Sequence, residues 1–150
     1  MRKEQLLFFN TMMAFKKLNI SSMLPEITHG DHVLLYRISC LEDSGQGKVK
    51  VSQLVRSMGC PPPAVSRGLR SLDNKGYITR TVDETDRRNT FVALTEEGKE
   101  ALTEANSIIE EFADAVFSNM GEDNMEKLIT QFQRFVDVSR EEIEKRKYKK

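Results

Sequence analysis

The arginines of this chain fall into two groups whose spacing suits recognition of a polyanion. Val65, Leu69 and Leu72 recur at i, i+4 and i+7, which makes one face of a helix apolar. The opposite face presents Ser66, Arg67, Arg70 and Ser71. Farther along, Asp83-Glu84-Thr85-Asp86-Arg87-Arg88-Asn89 is too polar for a core and ends in a pair of arginines behind Asp86. A guanidinium is a planar fork that meets a guanine edge or a phosphate with two bonds. A helix fits the major groove, and an arginine on a flexible hairpin suits the negative potential of a minor groove.

The charge distribution agrees. The formal net charge is zero, yet residues 48–94 carry nine basic and four acidic side chains. Residues 95–144 carry four basic and fourteen acidic ones, and residues 145–150 carry five basic ones alone. A basic middle segment beside an acidic one points to a local, one-sided polyanion site.

Catalytic chemistry is poorly served. His29 and His32 stand at i, i+3 around Asp31, short of a zinc site, and read as surface histidines at a helix start. Cys40 and Cys60 form no CxxC pair and are too few for a disulfide framework, which suggests a reduced, cytoplasmic setting. Gly45-Gln46-Gly47-Lys48 is followed by Val49 where a phosphate loop needs Ser or Thr. No nucleophile-elbow or zinc-protease pattern occurs. The chain is therefore read as a non-enzyme that needs no cofactor and no metal. It has no apolar stretch of membrane-spanning length and no signal-peptide cleavage pattern, so no membrane association is expected.

The elements that must position the arginines follow from periodicity and punctuation. Glu4–Leu18 has helical spacing with a wide apolar face. Thr28 or Asp31 suits the cap of a helix holding Val33, Leu34, Ile38 and Leu41, which ends before the turn-rich Asp43–Gly47. Lys48–Val51 alternates as a short edge strand, Ser52 opens a short helix and Gly59 stops it. Pro61-Pro62-Pro63 starts the arginine-bearing helix, which Asn74-Lys75-Gly76 ends. Residues 77–82 and 90–94 are β-rich runs around the charged tip, giving a hairpin. Thr95 caps a long helix, Gly121 breaks it, and a last helix runs into the basic tail, expected to fray.

Two short helices joined by a tight turn, an arginine-bearing second helix and a charged hairpin make a winged helix-turn-helix pattern. A chain of 150 residues is one domain in size. The fold class expected is mainly α with a small β-hairpin wing. A winged-helix lobe would span about 28–94, with dimerisation helices at about 4–18 and 95–147. Three long helices with wide apolar faces exceed what one small lobe covers, so a second copy is the expected partner.

Val51-Ser52-Gln53-Leu54, Val65-Ser66-Arg67, Leu72, Lys75-Gly76-Tyr77-Ile78, Asp86-Arg87-Arg88 and Leu94-Thr95-Glu96-Glu97-Gly98 together resemble the MarR family of bacterial transcription regulators. The most specific part is the Asp-x-Arg tip followed six residues later by Leu-Thr-x-x-Gly. The resemblance implies an obligate homodimer on a pseudo-palindromic double-stranded DNA operator, most often as a repressor. It implies Arg88 in the minor groove, Asp86 orienting the tip, and Ser66, Arg67 and Arg70 on the major groove. It also implies an effector, a small aromatic acid or phenol, in a crevice that Met12, Phe15, Lys16, Tyr36 and Arg37 would line. Family members commonly have Ser or Thr capping the recognition helix, where this chain has three prolines. Two other readings remain open: a winged-helix protein adaptor without DNA binding, and a thiol-based redox sensor acting through Cys60.

Overall fold

The computed structural model describes residues 2–24, 26–46, 48–83, 86 and 89–147. In chain order come α1 (Lys3–Lys16), a 3-10 turn at Ile20–Met23, and α2 (His29–Leu41), which runs into a π-helical turn at Glu42–Gln46. β1 (Val49–Lys50), α3 (Val51–Met58), α4 (Pro62–Asn74), β2 (Ile78–Val82) and β3 (Thr90–Leu94) follow. α5 (Glu96–Met120) and α6 (Glu122–Lys147) complete the order. The architecture is mainly helical with a small antiparallel sheet in the order β1-β3-β2. Val49 pairs with Val92, and Ile78 with Leu94. No helix among the described residues is long and apolar enough to cross a membrane.

The chain divides into two compact units, residues 1–108 and 109–150, and the division falls within α5. The winged-helix core lies in the first unit. Leu34, Leu35 and Ile38 of α2, Leu54 of α3, Val65, Leu69 and Leu72 of α4, and Val49, Ile78 and Val92 of the sheet are buried. Burying a side chain of this size stabilises by about 1.5–3 kcal/mol before conformational entropy is charged against it.

Local chemistry sets the boundaries of these elements. Thr28 Oγ1 accepts from the Asp31 amide at 3.1 Å, and the Asp31 carboxylate accepts from the Thr28 amide at 3.1 Å, a reciprocal cap on α2. Gly59 ends α3 at φ 61°, a left-handed conformation that costs glycine nothing. Gly68 lets α4 approach α2: a Cβ built on it would stand 2.2 Å from Leu34 Cδ1.

A part-buried ion pair joins the start of α2 to the end of α4. Lys75 Nζ donates to Asp31 Oδ2 at 2.9 Å and to the Glu26 carbonyl at 3.1 Å. Burial pushes the Asp31 carboxyl up. The bonds from Lys75 and from the Thr28 amide and hydroxyl outweigh it, so the group sits below its ordinary value of 3.8. A lowered folded-state pKa gives stability that is complete above the unfolded value and is lost as pH falls through the folded one. Lys75→Met is therefore expected to lose about 1–3 kcal/mol at pH 7, the cost of leaving a buried acceptor short of its donor. Urea unfolding at pH 7 and near pH 3 checks this, because the gap between parent and variant should narrow in acid. An equal gap at both pH values would exclude the ion pair as its source.

The second unit holds the rest of α5, Gly121 at φ 79°, and α6. Met125 is the buried residue of α6. Phe132, Phe135 and Val136 of α6 remain exposed, as do Phe112, Val116 and Phe117 of α5. α1, in the first unit, buries no residue at all.

Several boundaries differ from the expectation. The strand expected over Lys48–Val51 is two residues long, because only Val92 and Phe91 of β3 face it and Val51 already begins α3. Lys50, rather than Ser52, thus stands outside the start of α3. Tyr77 precedes β2 instead of belonging to it. The loop expected at 43–47 is helical through Gln46, with Ser44 Oγ donating to the Leu41 carbonyl at 2.7 Å. The basic end is helical as far as Lys147, where fraying was expected. Lys145 and Arg146 pair with Glu142 one turn earlier, and Lys147 with Glu144. Residues 148–150 lie outside the described residues.

Candidate nucleic-acid interface

The candidate interface is built on α4. Its apolar stripe, Val65, Leu69 and Leu72, is buried against the lobe, which turns Ser66, Arg67 and Arg70 outward to solvent. Ser71 is half-buried at the edge of that face. Gly59, at φ 61°, opens the short turn that joins α3 to α4, the order of a helix-turn-helix. The four residues named on this face from the sequence thus share one side of one helix, with both cations exposed.

The helix start is unusual. Pro61 takes the N-cap place with φ −56° and ψ 135°, and Pro62 and Pro63 occupy the first helical positions. All three are exposed, and Ala64 N donates to the Pro61 carbonyl at 2.9 Å.

The hairpin is β2 and β3, with Val82 paired to Thr90 at its outer end. Beyond it the Asp83 amide donates to the Asn89 carbonyl at 3.0 Å, and the Asn89 amide to the Asp86 carbonyl at 2.8 Å. Asn89 Nδ2 donates weakly to Asp86 Oδ2 at 3.4 Å, and the Asp86 amide to Asp83 Oδ1 at 3.4 Å. Asp86 is therefore tied into the turn through its backbone and its side chain. Arg87 and Arg88 lie outside the described residues.

The hairpin base is fixed to α5 by the Leu94–Gly98 segment. Thr95 Oγ1 accepts from the Gly98 amide at 3.0 Å and donates to the Gly76 carbonyl at 2.7 Å, while Thr95 N donates to the Tyr77 carbonyl at 3.1 Å. The same Tyr77 carbonyl lies against Gly98, where a Cβ would stand 2.0 Å from its oxygen. Thr and Gly at this spacing clamp the helix start onto the strand that leads into the wing.

Periodicity does not reveal the long-range bonds of four further residues, Glu26, Glu42, Lys75 and Tyr77. Lys75 and Glu26 join the Asp31 cluster, and Tyr77 Oη donates to Glu26 Oε2 at 3.2 Å. Burial and the Glu26 carboxylate push the Tyr77 phenol above its ordinary 10.0. Glu42 Oε1 accepts from the Leu94 amide at 3.0 Å, fixing the inner end of β3. Each partner is dozens of positions away, so no local pattern marks the pairing.

The residues expected to line an effector crevice lie on two helices. Met12 is half-buried and Phe15 and Lys16 are exposed on α1, while Tyr36 of α2 is exposed. Arg37 Nη2 lies 3.4 Å from the Ser57 carbonyl, and Tyr36 stacks on His32 at 6.3 Å. A cavity of about 520 Å³ on the winged-helix lobe is lined instead by residues such as His29, Val33, Met58, Cys60 and Arg67. His32 Nε2 is 2.8 Å from Asn106 Oδ1 of α5. No trio of His, Cys, Asp or Glu placed to hold a metal occurs among the described residues. Cys40 is half-buried and Cys60 exposed, both as free thiols.

The MarR family model matches residues 27–90. The fold is similar to that of a Staphylococcus aureus MepR–DNA complex, at TM-score 0.71 and 21% identity over 92% of this chain and 98% of that one. A cysteine-to-serine mutant of Escherichia coli MarR complexed with operator DNA matches at TM-score 0.69 and 17% identity, over 87% of this chain and 95% of that one. A further MarR crystal structure matches at TM-score 0.66 and 20% identity, over 93% and 98% respectively.

Proposed function

We propose that the protein is a DNA-binding transcription regulator, a reading supported by the match of the MarR family model to residues 27–90. On this reading it acts as a homodimeric repressor on a pseudo-palindromic operator. The observation that carries the proposal is the α4 face: Ser66, Arg67 and Arg70 stand exposed on a helix whose opposite stripe is core. α4 enters the major groove. Arg67 and Arg70 contact base edges or phosphates, Ser66 and Ser71 add hydroxyl contacts, and the wing carries Arg87 and Arg88 to the neighbouring minor groove with Asp86 orienting the tip. MepR and MarR, which share the fold, have been seen in complex with DNA, and this supports DNA as the partner.

Two copies would set two α4 helices about one DNA turn, roughly 34 Å, apart. Exposed apolar side chains on α1, and separately on the second unit, are the surface a second copy would cover. Phe132 is 47% exposed and stacks on Phe135 at 6.2 Å, a ring pair expected to lie in that interface. Phe132→Glu should release monomer or aggregate, read by light scattering. A well-folded monomer of the unmodified protein would exclude the dimer.

An effector that alters the spacing of the two lobes weakens DNA binding by its differential affinity for the two states. Met12, Phe15, Lys16, Tyr36 and Arg37 combine apolar bodies with cations and are the proposed contacts for a small aromatic acid or phenol. Titrating salicylate against a protein–operator complex should lower its affinity, and the drop should shrink in Arg37→Ala. No response to aromatic carboxylates or phenols would remove the effector.

Selection of bound duplexes from a random pool, followed by anisotropy titration across a salt series, tests the central claim. A sequence preference and a linear fall of log affinity with log salt are expected. Absence of salt-dependent DNA affinity would favour a protein adaptor.

A further inference from the structure

The three prolines at the start of α4 change what that helix can offer DNA. The first turn of a helix normally exposes amide donors, and these make helix N-termini good phosphate binders. Here Pro61, Pro62 and Pro63 have no amide proton, and the next amide, that of Ala64, is spent on the Pro61 carbonyl. A phosphate oxygen arriving at this end finds no backbone donor.

What it presents instead is apolar and rigid. Pro63 stands at i relative to Ser66, Arg67 and Arg70 at i+3, i+4 and i+7, so it opens the same exposed stripe. Pyrrolidine rings lose almost no side-chain entropy on docking. The major groove carries one distinctive apolar feature, the C5-methyl group of thymine. The cations one turn along α4 hold this stripe against a polyanion, so its leading ring meets a base edge.

We propose that Pro63 is a specificity residue that reads a thymine methyl in each half-site, and that the α4 N-terminus makes no phosphate contact. This deepens the DNA-binding reading and rests on it.

Deoxyuridine, which lacks only the methyl group, is the probe. On the selected operator, thymine is replaced by deoxyuridine one position at a time, and binding is measured for the full-length parent, Pro63→Ala and Arg67→Ala. For the parent, one position per half-site should lose about fourfold in affinity, the factor that burial of one methyl group is worth. The loss should vanish in Pro63→Ala and persist in Arg67→Ala. Circular dichroism confirms folding of Pro63→Ala, for which none of the buried core is altered. A deoxyuridine penalty that survives in Pro63→Ala, or no penalty anywhere on a selectively bound operator, overturns this assignment alone. Failure of the parent to select any sequence overturns the DNA-binding reading together with it.

Discussion

Gly98→Ala is expected to destabilise the protein by about 3 kcal/mol or more, although the same change in an ordinary helix is stabilising. Gly98 lies in the first turn of α5, where alanine would normally gain roughly 0.5–1 kcal/mol over glycine. Its Cβ, however, would stand 2.0 Å from the Tyr77 carbonyl oxygen and 2.9 Å from the Tyr77 carbonyl carbon. Both atoms are backbone, and that carbonyl also accepts from Thr95 N at 3.1 Å. Neither helix nor strand end can move without breaking the Thr95 clamp, so the strain goes into the fold. At about 2–4 °C per kcal/mol for a chain of this size, thermal unfolding should drop by about 10 °C. Gly68→Ala is the control. Its Cβ meets a leucine methyl at the end of a flexible side chain, so a smaller loss is expected. A Gly98→Ala variant that melts with the parent would show that α5 is not held at this point.

Arg88→Ala is expected to weaken operator binding by roughly 1–3 kcal/mol for each half-site that the wing arginine reads. The plot of log affinity against log salt should become shallower by up to about one unit for each phosphate no longer neutralised. Arg88→Lys should recover part, because an ammonium keeps the charge without the planar fork. Stability should be unchanged, since the described residues around the tip, Asp83, Asp86 and Asn89, contribute no side chain to the core. Titration of Arg87→Ala beside it across the same salt series assigns the role. Weakened binding in Arg87→Ala with parent-like binding in Arg88→Ala moves the role to Arg87. Parent-like binding by both variants, on an operator the parent selects, removes the wing from the DNA interface.

Much of the winged lobe was legible residue by residue. Val65, Leu69 and Leu72 were readable as the buried stripe of α4 because helical period alone decides which side chains share a face. It therefore also decided that Ser66, Arg67 and Arg70 face the other way. Gly59, Gly76 and Gly121 were readable as breaks, and all three adopt positive φ, where L side chains are disfavoured. Thr95 was readable as a cap, and Thr28 as one of two candidates beside Asp31, because a capping hydroxyl bonds only two or three residues along the chain.

What tertiary structure alone decided has long sequence separation or a neighbour supplied by another element. The Asp31–Lys75 pair spans 44 positions, and the Glu42–Leu94 bond spans 52. Locally Asp31 reads only as a candidate helix cap, and nothing near Glu42 marks its partner. β1 stops after two residues because Val51 already begins α3, although β3 runs on to Thr90 beside it. Gly98 read as one letter of a motif until the Tyr77 carbonyl gave it a steric reason. Local rules determined the elements and the face each one turns outward, since both depend on bonds and periods within a few residues. Which distant polar groups meet, and where backbones touch, was decided only when the elements packed.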